Sequence, residues 1–165
     1  MKYKILKNIQ VFFKTKKSAF FNVELVLVDC LRGKIKAVKI KNRGFFYWDD
    51  LMFDKERLVI LTENPQETAE DKNLADILGF KVLTLNDQEL GILEDYDFDE
   101  TSGKILQYFI KTSLLKKLVE GNLILNHQDI IRIKPEKKEI FVRDLEDKEK
   151  VQVFKTDKAQ AMGAV

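Results

Sequence analysis

Residues 90–110 read LGILEDYDFDETSGKILQYFI. Two apolar runs flank an acidic turn closed by Gly103, the pattern of a β-hairpin. Gly103 is placed to supply the positive φ of a G1-type turn opened by Asp99. Gly91 is placed to mark a bend or bulge where the first strand curls. Alternate residues from Leu90 onward are expected to line a core, with the acidic side chains outward.

The same plan stands 70 residues earlier. Asp29-x-x-x-Gly33-Lys34-Ile35 aligns with Asp99-x-x-x-Gly103-Lys104-Ile105, Ile40 with Ile110, and Glu24 with Glu94. Further on, Asp50-Leu51-Met52 matches Asp129-Ile130-Ile131 at slightly changed spacing. A period this long indicates a duplicated domain, not a solenoid. Around the first hairpin, Tyr3 to Phe13 looks extended, Phe20 to Asp29 is strongly β-prone, and Phe45 to Trp48 and Leu58 to Leu61 read as short strands. Around the second, strands are expected at 80–85, 123–125, 130–133 and 140–142. Ser113 to Gly121 departs from this pattern: a serine N-cap, about two turns and a terminal glycine predict a short helix. Glu63 to Asn73, ENPQETAEDKN, is polar, holds Pro65 and has the composition of a linker.

These signals predict an all-β protein of two small β-barrels from a duplicated domain, with a short helix near 113–121. The expected division is a first domain at 1–62, a linker at 63–75, a second domain at 76–145, and a C-terminal extension at 146–165 that is partly disordered. The order Gly79-Phe-Lys-Val82, Leu90-Gly91-x-x-x-Asp95-x-x-Phe98-Asp99, Gly103-Lys104-Ile105, Asp129-Ile130-Ile131 resembles the PRC-barrel family. That family is named from the cytoplasmic domain of the photosynthetic reaction-centre H subunit. It also includes the C-terminal domain of the bacterial ribosome-maturation factor that acts on the small subunit's 16S RNA. Residues 76–145 carry the resemblance well and residues 5–62 more weakly, with Phe21 where Gly91 stands in the second copy. The resemblance implies two PRC-type barrels and is similar overall to tandem PRC-barrel proteins of unassigned function.

Composition limits the function classes. Of 165 residues, 45% are hydrophobic and 34% charged, enough for a core and a hydrated surface. A single cysteine, Cys30, leaves no internal disulfide and suits a reducing compartment. The lysine-dotted N-terminus is not expected to act as a signal peptide, and no apolar run reaches the roughly 18–20 residues of a membrane helix. A cytoplasmic protein with no integral membrane segment is expected. The net charge of +2 hides a polarity: residues 1–62 hold 14 Lys and Arg against 6 Asp and Glu, and the remainder is acidic.

Candidate chemistry is sparse. Asp95, Asp97 and Asp99 stand at period two, but an EF-hand loop from Asp95 needs glycine at its sixth position and glutamate at its twelfth; Glu100 and Leu106 occupy them. Weak cation binding there stays open. His127, the only histidine, has no zinc-ligand companions. Cys30 lies near Arg32 and Lys34 but lacks a Cys–His arrangement. No phosphate-binding glycine loop is present. No enzymatic activity and no cofactor are expected. The basic run Arg32, Lys34, Lys36, Lys39, Lys41 and Arg43 offers a patch for an acidic partner or RNA, with aromatics close by. The pairs Phe12-Phe13, Phe20-Phe21 and Phe45-Phe46 each send one ring away from the core, because strand neighbours face opposite sides. Such rings suit packing against the second barrel, a second protomer in a homodimer, or another protein partner. The favoured expectation is a non-enzymatic binding or scaffold protein. The alternative is an RNA- or ribosome-associated accessory factor, and electron-transfer support is a third reading with little behind it.

Overall fold

The computed structural model describes residues 1–67, 71–112, 121–144 and 152–155. It is all-β with barrel-like sheets and, among the described residues, one short α-helix. Two compact units form. One is Met1–Ile77 with Asp97–Ile105; the other is Leu78–Tyr96 with Leu106–Val165.

The first unit opens on α1 (Tyr3–Asn8), where an extended segment was expected. Tyr3, Leu6 and Ile9 are buried at a spacing of three, a helical stripe, while Lys4 and Ile5 stay exposed. From β1 (Gln10–Phe13) the period drops to two, with Val11 and Phe13 inward. There follow β2 (Lys16–Phe21), β3 (Val23–Asp29), β4 (Lys34–Ile40), β5 (Gly44–Tyr47), β6 (Leu51–Asp54), β7 (Arg57–Ile60) and β8 (Leu74–Ala75). They make two four-stranded sheets, β2-β1-β7-β6 and β5-β4-β3-β8. Phe13 packs edge-on against Phe21 and Phe46, with ring centroids 5.1 and 5.3 Å apart. Within the polar stretch 63–75, the Gln66 N–H donates to Phe45 O at 2.7 Å, and β8 pairs with the end of β3.

The second unit is one curled sheet of seven strands in the order β13-β14-β9-β10-β11-β12-β15. Its strands are β9 (Lys81–Thr84), β10 (Glu89–Phe98), β11 (Ile105–Thr112), β12 (Gly121–Asn126), β13 (Ile130–Lys134), β14 (Glu139–Val142) and β15 (Gln152–Lys155). The last two residues of β10 and the first of β11 belong to the first unit. Tyr96, Tyr108, Leu93 and Ile110 fill the interior. In each unit a parallel pair joins an early strand to a late one: β1 with β7, and β9 with β14. A 3₁₀ turn precedes β6 at Trp48–Asp50 and β13 at His127–Asp129.

Simple alternation from Leu90 does not hold. The register of β10 on β9 shifts between Glu89 and Gly91, which inserts one residue. Beyond it Leu93 turns inward, Ile92 faces out, and Asp95 is buried where an outward carboxylate was expected. The Asp95 Oδ1 accepts the Tyr96 N–H at 2.9 Å. Gly91 has φ 153°, and a Cβ there would stand 2.2 Å from the Lys111 carbonyl oxygen. Phe21 occupies the corresponding place in the first unit. There the extended segment is divided into β2 and β3 at Asn22, in place of one bulged strand. The helix expected over 113–121 lies outside the described residues except for Gly121, which begins β12. Of 146–165 only β15 is described.

Candidate functional site

Asp29 and Asp99 shape the two hairpin turns with their own side chains. Asp29 Oδ1 accepts the N–H groups of Leu31 and Arg32, Oδ2 accepts the Arg32 guanidinium at 2.8 Å, and the Gly33 N–H donates to Asp29 O. Asp99 Oδ1 accepts the Ser102 N–H and hydroxyl at 2.6 and 2.8 Å, while the Gly103 N–H donates to Asp99 O. Burial pushes the Asp29 carboxyl up, but the Arg32 guanidinium and the backbone N–H groups of Arg32 and Leu31 outweigh it and hold the carboxyl below the ordinary range. The Asp99 carboxyl is held low by the N–H and hydroxyl of Ser102.

The two tips meet each other. The Ile35 N–H donates to Gly103 O at 2.8 Å and the Ile105 N–H to Gly33 O at 3.0 Å, with Lys34 opposite Lys104 in an antiparallel bridge. Each tip gives to the other what it receives, the reciprocity of a local twofold axis. Residues 97–105 also bring Phe98 edge-on to buried Trp48 at 5.5 Å. Gly103, at φ 73°, lies so close that a Cβ would stand 3.0 Å from both Ile35 O and Trp48 Nε1.

The basic run divides. Arg32 is ion-paired with Asp29. Lys39 is 3.1 Å from Glu24 and lies over the Phe45 ring. Arg43 covers Phe13 and Phe21, at 4.9 and 5.1 Å. Lys36 sits over Tyr47 at 5.3 Å. Lys34, Lys36 and Lys39 leave the outer side of β4 while Ile35, Ala37, Val38 and Ile40 are buried. The parity change follows a register shift in which Lys36 is the additional residue between the partners of Leu27 and Val28. Lys41 is exposed.

A second feature emerges only from strand pairing. On the outer side of the sheet β2-β1-β7-β6, Phe20 meets Phe12 edge-on at 5.1 Å, Phe12 pairs with Val59, and Val59 pairs with Met52. Phe20 is 67% exposed and Met52 46%, so an apolar row crosses all four strands in contact with solvent. Beside it Gln10 pairs with Arg57, which lies over Phe12 and is bonded to Asp54 at 3.3 Å. The Phe pairs carried half of this signal; the parallel register of β1 on β7 supplies the rest.

The acidic triplet serves three separate purposes: Asp95 is buried, Asp97 accepts the Met1 ammonium at 2.9 Å, and Asp99 closes its turn. Among the described residues no three His, Cys, Asp or Glu side chains converge. His127 lies in a 3₁₀ turn of the second unit, and Cys30 is buried in the first. Among the described residues no helix is long and apolar enough to cross a membrane. No protein-family model and no curated protein matches the chain.

Proposed function

We propose that this is a non-enzymatic binding or scaffold protein of the PRC-barrel type, acting in the cytoplasm and associating with a second copy of itself. The observation that supports it is the exposed row Phe20–Phe12–Val59–Met52. Its ends differ, aromatic on β2 and thioether on β6. A twofold axis through its centre sets Phe20 of one copy on Met52 of the other, a favourable sulfur–ring contact. The flanking Arg57 and Asp54 are of opposite charge and can exchange partners across the same axis. Sedimentation of the full chain, with chemical crosslinking, tests this: a dimer at micromolar concentration, converted to monomer by Phe20→Ser with Met52→Ser at unchanged circular dichroism, is expected. A wild-type chain that stays monomeric at 100-fold higher concentration overturns it.

The outward lysines of β4 favour a second reading, an RNA- or ribosome-associated accessory factor. A salt-dependent shift with ribosomal RNA fragments, lost when Lys34, Lys36, Lys39 and Lys41 become glutamate, supports that reading, and no shift at low salt removes it.

A further inference from the structure

The bridge between the hairpin tips places two like charges opposite each other. Lys34 and Lys104 are the bridged residues, and the hydrogen bonds run from their successors, Ile35 and Ile105, to their predecessors, Gly103 and Gly33. That is the pair which exchanges no hydrogen bond of its own. It is the closer of the two antiparallel spacings, with Cβ atoms about 4.5–5.5 Å apart. Ile35 and Ile105 are fully buried, so the lysine side chains leave the opposite, outer side together.

Among the described residues no carboxylate neutralises them. Of the nearest carboxylates in sequence, Asp29 and Asp99 are turned into their own turns, on Arg32 and Ser102, and the exposed Glu100 forms no ion pair with Lys104. Neither lysine forms an ion pair among the described residues. Facing like charges destabilise a strand pair, and one anion held between the two ammonium groups reverses the sign of that interaction. The local twofold gives both lysines equivalent access to one point, which suits a single group with several equivalent oxygens. Lys36 lies two residues along the same side of β4, over the half-buried Tyr47 ring. A third cation and an aromatic ring therefore stand beside the pair, the combination of charge and ring that single strands use.

We propose that Lys34 and Lys104 together hold one phosphate group of single-stranded RNA, and that Lys36 and Tyr47 receive the adjoining nucleotide. This rests on reading the protein as a binding module and specifies the second form of that reading. Because the apolar row is built on other strands, Phe20→Ser with Met52→Ser leaves this binding unchanged, and the two ideas fail separately.

Fluorescence anisotropy of the full chain with a labelled uridine 20-mer, from 50 to 200 mM KCl, tests the proposal. Lys34→Gln and Lys104→Gln should each weaken binding several-fold and their combination at least tenfold. The slope of log affinity against log salt should fall by about 0.7 for one lost phosphate contact. Lys34→Arg with Lys104→Arg keeps both charges and should retain binding, which separates a charge effect from a folding defect. No binding by the wild type at 50 mM KCl overturns the proposal, as does a double glutamine variant that binds like the wild type. Equal competition by poly-glutamate would assign the pair to an acidic protein instead.

Discussion

Replacing Lys34 and Lys104 by cysteine should join the two hairpin tips covalently. Their antiparallel bridge is of the close, non-hydrogen-bonded kind, whose Cα separation of about 4.5 Å falls within disulfide range. A Cys30→Ala background leaves these two as the only thiols. The bridge closes a loop from residue 34 to residue 104, and loop-closure entropy for that length corresponds to about 4 kcal/mol. For a chain of this size that amounts to a rise in Tm of roughly 8–16 °C, oxidised over reduced. Trp48 is the only tryptophan and is buried against Phe98 and Gly103, so its emission follows the unfolding of this region directly. Thiol counting and non-reducing electrophoresis establish whether the bond forms within one chain. Two free thiols after oxidation, crosslinks only between chains, or an unchanged transition would refute the pairing of the tips.

Four other outcomes follow from the same geometry. Gly91→Ala should fail to fold or lose several kcal/mol, because its Cβ would meet the Lys111 carbonyl at 2.2 Å; urea titration measures this. Gly103→Ala should lose about 1–3 kcal/mol from its left-handed backbone, and more as Trp48 is displaced. Phe98→Ala removes the ring against Trp48 and should lose about 3–5 kcal/mol with a red shift of the tryptophan emission. Asp29 and Asp99 have lowered folded pKa values, so their contribution is complete above the ordinary carboxylate value near 4 and is lost as pH falls through the folded values. Thermal denaturation of Asp29→Asn should therefore show a shallower loss of stability below about pH 4 than the wild type.

The parts of this fold that were legible are those decided within a few residues. Asp29, Gly33, Asp99 and Gly103 are local turn chemistry, and the turns form from local hydrogen bonds. Gly91 was readable as a bend, but not the parity change it imposes, which depends on register against β9. The helix at Tyr3–Asn8 escaped because six residues contain too few turns to separate a period of three from a lysine-rich extended run. The segment 20–29 looked like one strand, yet it breaks at Asn22, next to Phe21, whose counterpart in the second unit is Gly91. The basic run was visible, yet what its members face was not: Glu24 reaches Lys39 across the sheet, and Lys104, 70 positions away, faces Lys34. The apolar row is the clearest case, since Phe12, Val59 and Met52 become neighbours only through one parallel and one antiparallel pairing.

The docking of residues 97–105 into the first unit also sets an order of events during synthesis. Residues 1–77 leave the ribosome without the segment that covers Trp48, and 28 further residues must emerge before Ile105 does. At typical elongation rates that interval is roughly 1–6 s. Folding of individual strands and hairpins is far faster, on the order of microseconds. Strands of the first unit can therefore pair while the face of Trp48 that Phe98 covers is still open. Chaperones or a neighbouring nascent chain have access to that face during this interval, and the arrival of Phe98 and Ile105 ends it.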